Sequence, residues 1–236
     1  MRSYRIAQWI TALIITLSSY PNPSFAQVDF YDIDFYRIPQ KKIRSLIQHQ
    51  MNKNIIQFDD IRPTISKNED FTGYRQHTKT YLIKKDISRV WEGYKSANPS
   101  NAWNGKIASF GVLLSKKTNS ILYRNSKFDK IDTGQVYYIN LKIMKGVYNL
   151  PVVFEIVTVD NENKILEFSY VNGTVSKGKQ RIHLTGTSEG YTEIKHTSLF
   201  KSHSPFRDRI LYPHFHRLVI DEFHKNIKEK IIYNAN

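Results

Sequence analysis

The stretch TYLIKKDISRVWEGYKSANPSNAW, residues 80–103, decides the architecture. Thr80, Tyr81, Leu82 and Ile83 have the β-branched, aromatic and apolar composition of a strand. Asp86 then offers a side-chain oxygen to the first free N–H groups of a helix. Ile87, Val90, Trp91 and Tyr94 follow at spacings of three and four, which predicts an amphipathic helix over 87–96. Asn98-Pro99-Ser100 stops it, because a residue before proline is pushed out of the helical region. Ser100 can cap a second short helical turn that runs to Trp103.

Beyond Gly105 the signals are almost all strand-like. Residues 107–114 and 120–124 are two candidates. In 135–144, Tyr137, Ile139, Leu141 and Ile143 alternate with more polar positions, the pattern of a half-buried strand. Residues 152–159 and 165–171 form a hairpin around Asp160-Asn161-Glu162-Asn163, and 181–185 and 191–200 form another turned at 186–190. The last element is long. Residues 207–232 contain no glycine and one early proline, Pro213, which fits a first helical turn. Tyr212, Phe215, Val219, Phe223, Ile227 and Ile231 share one face of it. An α+β fold follows: a strand, two short helices, a curved antiparallel sheet of six to seven strands in all, and a long C-terminal helix covering the sheet's apolar face.

Two segments precede this unit of residues 76–236. Residues 1–26 carry Arg2 and Arg5 without an acid, a short apolar run from Ile6 to Leu17, and Ser24-Phe25-Ala26 at the end. A basic start, an apolar core and a small-x-small finish are the parts of a secretory signal, cleaved here near Ala26. About 12 apolar residues span roughly 18 Å of helix, short of the ~30 Å bilayer core, so the mature chain is expected in the periplasm or outside the cell rather than across a membrane. Residues 27–75 read as an N-terminal extension with a short helix opened by Pro39, packed on the main unit by Phe30, Phe35, Leu46 and Ile47.

The chain has no cysteine, which excludes disulfides, thiolate nucleophiles and thiolate metal sites. A mature chain of this length buries enough apolar surface to do without cross-links. Removal of Arg2 and Arg5 leaves 33 basic against 21 acidic residues. That excess favours anionic partners such as lipid head groups or acidic glycans. No recognised motif supports nucleic acid.

The element order resembles the helix-grip architecture of the START-like superfamily, which includes polyketide cyclases and lipid-transfer domains. The likeness is carried by Thr80 to Ile83, by Asp86-Ile87-Ser88-Arg89-Val90-Trp91, and by Asn98-Pro99 with Trp103. It covers residues 76–232 and implies a cavity between sheet and helix for a small hydrophobic, lipid-like or amphipathic ligand. Carriers, sensors and enzymes share that fold, so a cyclase- or hydrolase-like activity in the same cavity is the alternative.

The candidate residues are those expected on inward faces. Trp91, Trp103, Tyr123, Tyr137, Tyr170 and Phe215 are the aromatic candidates for lining a ligand site. Tyr137 and Tyr170 stand out because a buried hydroxyl needs a partner. His196 shares a strand face with Ile194 and Ser198 and is the one candidate general base. His214 and His216 point about 200° apart on a helix, and His216 and His224 stand about 12 Å apart along it, so neither pair suggests a shared metal ion. Glu155 and Glu167 alternate against apolar residues and read as solvent-facing. No His-Glu-x-x-His and no Gly-x-Ser-x-Gly is present. The residues point to no metal and no cofactor.

Overall fold

The computed structural model describes residues 27–66, 68–174, 176–201 and 212–233. The proposed signal segment and the sequence just before the last helix lie outside them. Eight strands form one antiparallel sheet: β1 (Arg75–Ile83), β2 (Ala108–Ser115), β3 (Ser120–Tyr123), β4 (Gln135–Ile143), β5 (Tyr148–Asp160), β6 (Ile165–Tyr170), β7 (Lys177–Gly186) and β8 (Thr192–Lys201). Their order across the sheet is β1-β8-β7-β6-β5-β4-β2-β3, so the short β3 forms an edge beyond β2. The helices are α1 (Lys41–Met51), α2 (Ile87–Lys95), α3 (Pro99–Ala102) and α4 (Tyr212–Tyr233).

In the 80–103 stretch Asp86 caps α2 as expected, accepting from the Arg89 N–H at 2.9 Å. The second turn is capped by Asn98 and not by Ser100: Asn98 accepts from the Ser100 N–H at 2.9 Å, and the Ser100 hydroxyl donates to the Arg124 carbonyl at 2.6 Å. Val90, Trp91 and Tyr94 are buried against the sheet and α4. Glu222 of α4 accepts from the main-chain N–H groups of Ile107 and Ala108 at 2.9 and 2.8 Å, pinning the start of β2 to the helix.

The sheet has two apolar faces, and so two cores. The inner core sets Tyr137, Ile139, Phe154, Phe168, Ile182 and Ile194 against Trp103, Val219, Phe223 and Ile227. The outer core lies under the N-terminal extension, where Phe30, Ile38, Ile43, Ile47 and Phe58 meet Val112, Val136, Tyr138 and Val153. Tyr137 and Tyr138 are therefore both buried, on opposite faces. A strand covered on both sides loses the alternation of a half-buried one.

A bulge sets the phase of the edge. The pairing of β2 with β4 shifts between Phe110 and Val112, so these two residues face opposite sides although they are two apart. Gly111 sits at the bulge because a Cβ there would come within 2.4 Å of Ile43 on α1. The bulge corrects one expectation: Tyr123, paired with Val112, faces outward. Its hydroxyl accepts from the Asp34 N–H at 2.6 Å, and the Arg37 guanidinium lies 4.0 Å from its ring centre. Glu155 needs a similar correction. It points away from the inner core, but the extension covers it at 7% exposure, and Lys116 neutralises it at 2.7 Å. Burial still pushes its carboxyl above the usual range, against the opposing pull of Lys116.

Candidate functional site

The middle of the sheet–helix layer, where a ligand cavity is implied by the resemblance, is occupied by rings. Trp103 stacks on Phe223 at 4.2 Å between centres, Tyr137 on Phe154 at 5.2 Å, and Phe154 packs on Phe168 at 4.9 Å. The Tyr137 hydroxyl donates to Gln135 at 2.9 Å. Trp91 is buried as well, its indole N–H donating to Asn161 at 3.0 Å. These aromatics partner one another and the chain's own polar groups.

Beside them lies a buried polar cluster. Inward positions alternate along β1, β7 and β8, which brings His77, Gln180 and His196 onto the face that α4 covers with His216 and His224. Tyr94 Oη lies 2.5 Å from His224 Nδ1, and His224 Nε2 lies 2.8 Å from His196 Nδ1. Gln180 Oε1 lies 2.8 Å from both His196 Nε2 and His216 Nε2. His216 Nδ1 meets His77 Nδ1 at 3.3 Å.

The amide oxygen of Gln180 can only accept, and this dictates the proton pattern. His196 and His216 each donate from Nε2 to it. His196 Nδ1 must then accept from His224 Nε2–H, and His224 Nδ1 accepts from the Tyr94 hydroxyl. His77 likewise donates to His216. Every bond is satisfied with all four histidines neutral. Burial disfavours the charged imidazole, and neighbouring histidines add to that, so His196 and His216 sit well below the usual histidine range. Burial takes His224 down to about 3. The Gln180 amide nitrogen donates to Tyr170 Oη at 2.9 Å, and Tyr170 is hydrogen-bonded in turn to Tyr212.

His196 therefore faces inward with both ring nitrogens engaged by protein groups. The histidines that the helical spacing sets apart, His216 and His224, are joined through His196 and Gln180. Gln180, Tyr94, His77 and Tyr212 were not recognisable as parts of a site from the sequence. The available signal was polar residues at inward phase on three strands. His214, by contrast, is exposed. Among the described residues no group of three or more His, Cys, Asp or Glu is placed to hold a metal ion.

Open space lies at one end of the layer. A groove of about 240 Å³ runs between sheet and helix, lined by Ile107, Leu141 and Ile143 on one side and Phe215, Leu218 and Val219 on the other. Phe215 is the one aromatic candidate that lines it. Lys142, Met144 and Lys145 also line it. Met144 and Val147, on the connection from β4 to β5, and Tyr148, at the start of β5, are exposed.

No protein-family model and no curated protein sequence matches the chain. Solved structures do. Norcoclaurine synthase from Thalictrum flavum, in complex with dopamine and hydroxybenzaldehyde, superposes with a TM-score of 0.50 at 11% identity, over 73% of this chain and 97% of that one. A point mutant of the same synthase, bound to a transition-state analogue, gives 0.51 at 11% identity, over 69% and 97%. Both neighbours belong to the START-like helix-grip superfamily. At that identity the likeness is one of fold, and with its curved eight-stranded antiparallel sheet and long C-terminal helix this chain has the helix-grip fold.

Proposed function

We propose that the chain is an exported binding protein for a small apolar or amphipathic ligand, held at the open end of the sheet–helix layer. The observation that carries this reading is the groove whose apolar walls come from both layers, Leu141 and Ile143 facing Phe215 and Leu218. Its volume falls just under the ~300–1,000 Å³ of sites for drug-sized ligands, so a small ring system or a short stretch of acyl chain suits it. Lys145, with Lys142 whose ammonium donates to the Gly105 carbonyl, also lines the groove and favours a ligand with an anionic or polar end. Norcoclaurine synthase, a neighbour in fold solved in complex with dopamine and hydroxybenzaldehyde, supports small aromatic molecules as a ligand class for this fold. Export rests on the basic, apolar and small-x-small segments of residues 1–26.

A catalytic reading has less support. His196, the candidate base, spends both nitrogens on His224 and Gln180, and a substrate would have to displace one of them.

The test uses the mature chain and the fluorescent apolar probe N-phenyl-1-naphthylamine, with mass spectrometry of whatever co-purifies. Leu218→Trp should fill the groove and abolish probe binding while leaving the thermal midpoint unchanged. Undiminished binding by this folded variant would remove the proposal.

A further inference from the structure

The N-terminal extension covers the outer face of the sheet from β2 to β5, reaches over the near ends of β6 and β7 through Thr64 and Phe71, and leaves the rest of the outer face of β6, β7, β8 and β1 open. That open part is a groove of about 490 Å³. We infer that it binds an anionic oligosaccharide, at a site separate from the apolar groove.

The register places the chemistry. Lys179 and Arg181 are two apart on β7, so both point outward, about 7 Å from each other along the strand. Lys195 on β8 stands opposite His183 on β7 and adds a third cation. Glu167 on β6 is the one carboxylate among the lining residues. It lies 3.3 Å from Lys179 and 3.9 Å from the Arg181 Nε, so a single acid is shared between two bases. Among the described residues no carboxylate forms an ion pair with Lys195. The lining thus carries a net positive charge that a bound anion would neutralise.

The remaining lining residues select the class of anion. Phe71 presents a ring at one end, with the Lys179 ammonium 5.5 Å from its centre, and Leu199 lies beside it. The Gln76 amide and the Thr197 hydroxyl supply neutral donors and acceptors. An apolar platform, uncharged hydrogen-bonding groups and two to three cations within one groove match the C–H faces, hydroxyls and carboxylates of an acidic sugar chain. A bilayer surface would call for exposed apolar anchors around the cations. The exposed Met144, Val147 and Tyr148 stand instead where β4 leads into β5, away from this groove.

Arg181 and Lys195 are exposed, so their replacement leaves both cores intact. Calorimetric titration of the mature chain with a tetramer of galacturonic acid should give saturable binding that weakens with added salt. Maltotetraose, of similar size and uncharged, should bind far less. The double variant Arg181→Ala/Lys195→Ala should lose about tenfold or more in affinity. Lys225→Ala/Lys228→Ala, which removes the same charge from α4, should keep it. Absence of binding, equal loss in both double variants, or binding to phosphatidylglycerol vesicles alone would overturn the inference. Neither double variant touches the lining of the apolar groove, so probe binding there should be unchanged and a failure here is separable from a failure of the proposed function.

Discussion

Acidification offers a direct test of the buried histidine cluster. His196, His216 and His224 are held neutral in the fold, whereas an unfolded histidine titrates near ~6.5. Above that pH both states are uncharged there and the cluster gives stability no pH dependence. Below it the unfolded chain takes up three protons that the folded chain refuses, so stability falls as pH falls. The window runs from about 6.5 down toward 3, where His224 itself takes a proton in place. At pH 5 each histidine favours the unfolded state by about 2 kcal/mol, and the three together by about 6 kcal/mol. That approaches the whole stability of an ordinary domain, about 5–15 kcal/mol. The acids held below their ordinary range, Asp60, Glu69, Asp70, Asp132 and Asp160, act only at lower pH. Nearer the interval from 7 to 5, His77 adds to the three histidines and Glu155, whose carboxyl is raised by burial, opposes them by favouring the fold as pH falls. Urea unfolding followed by tryptophan fluorescence at pH 7, 6 and 5 measures the slope. His224→Gln keeps hydrogen-bonding capacity toward Tyr94 and His196 and should reduce the slope by about a third. Stabilities equal to within about 1 kcal/mol at pH 7 and pH 5 would refute the neutral, fully satisfied cluster.

Two further outcomes follow from packing and charge. Gly178 has φ of 147°, and a Cβ there would lie 2.0 Å from the Leu199 carbonyl oxygen, so Gly178→Ala should destabilise the chain by more than about 3 kcal/mol. A urea midpoint near that of the parent would contradict the β7–β8 register. Lys116→Met should cost about 3 kcal/mol at pH 7 by leaving Glu155 buried and unpaired, with Lys116→Met/Glu155→Gln recovering most of it. An uncoupled pair in that double-mutant cycle would mean that the extension does not seal this salt bridge.

The inner face of the sheet shows how far local patterns reach. Ile194, His196 and Ser198 alternate along one strand, and their common inward phase was legible because side chains on a strand repeat every two residues. The outward phase of Tyr123 was not. It depends on the bulge at Gly111, whose reason is the approach of Ile43 from a helix some 70 residues earlier in the chain. Glu155 illustrates the same limit, since strand alternation assigns it a face but cannot say what covers that face.

The sequence by itself determined the order of elements, because caps, proline stops and hydrophobic periodicity act between residues a few positions apart. It also determined the basic excess and the absence of thiol chemistry. Only the tertiary structure decided that rings fill the middle of the sheet–helix layer and that His77, Gln180, His196, His216 and His224 share one hydrogen-bonded cluster. Those groups come from β1, β7, β8 and α4, and what brings them within 3.5 Å of one another is strand register and helix packing, set by the whole core at once.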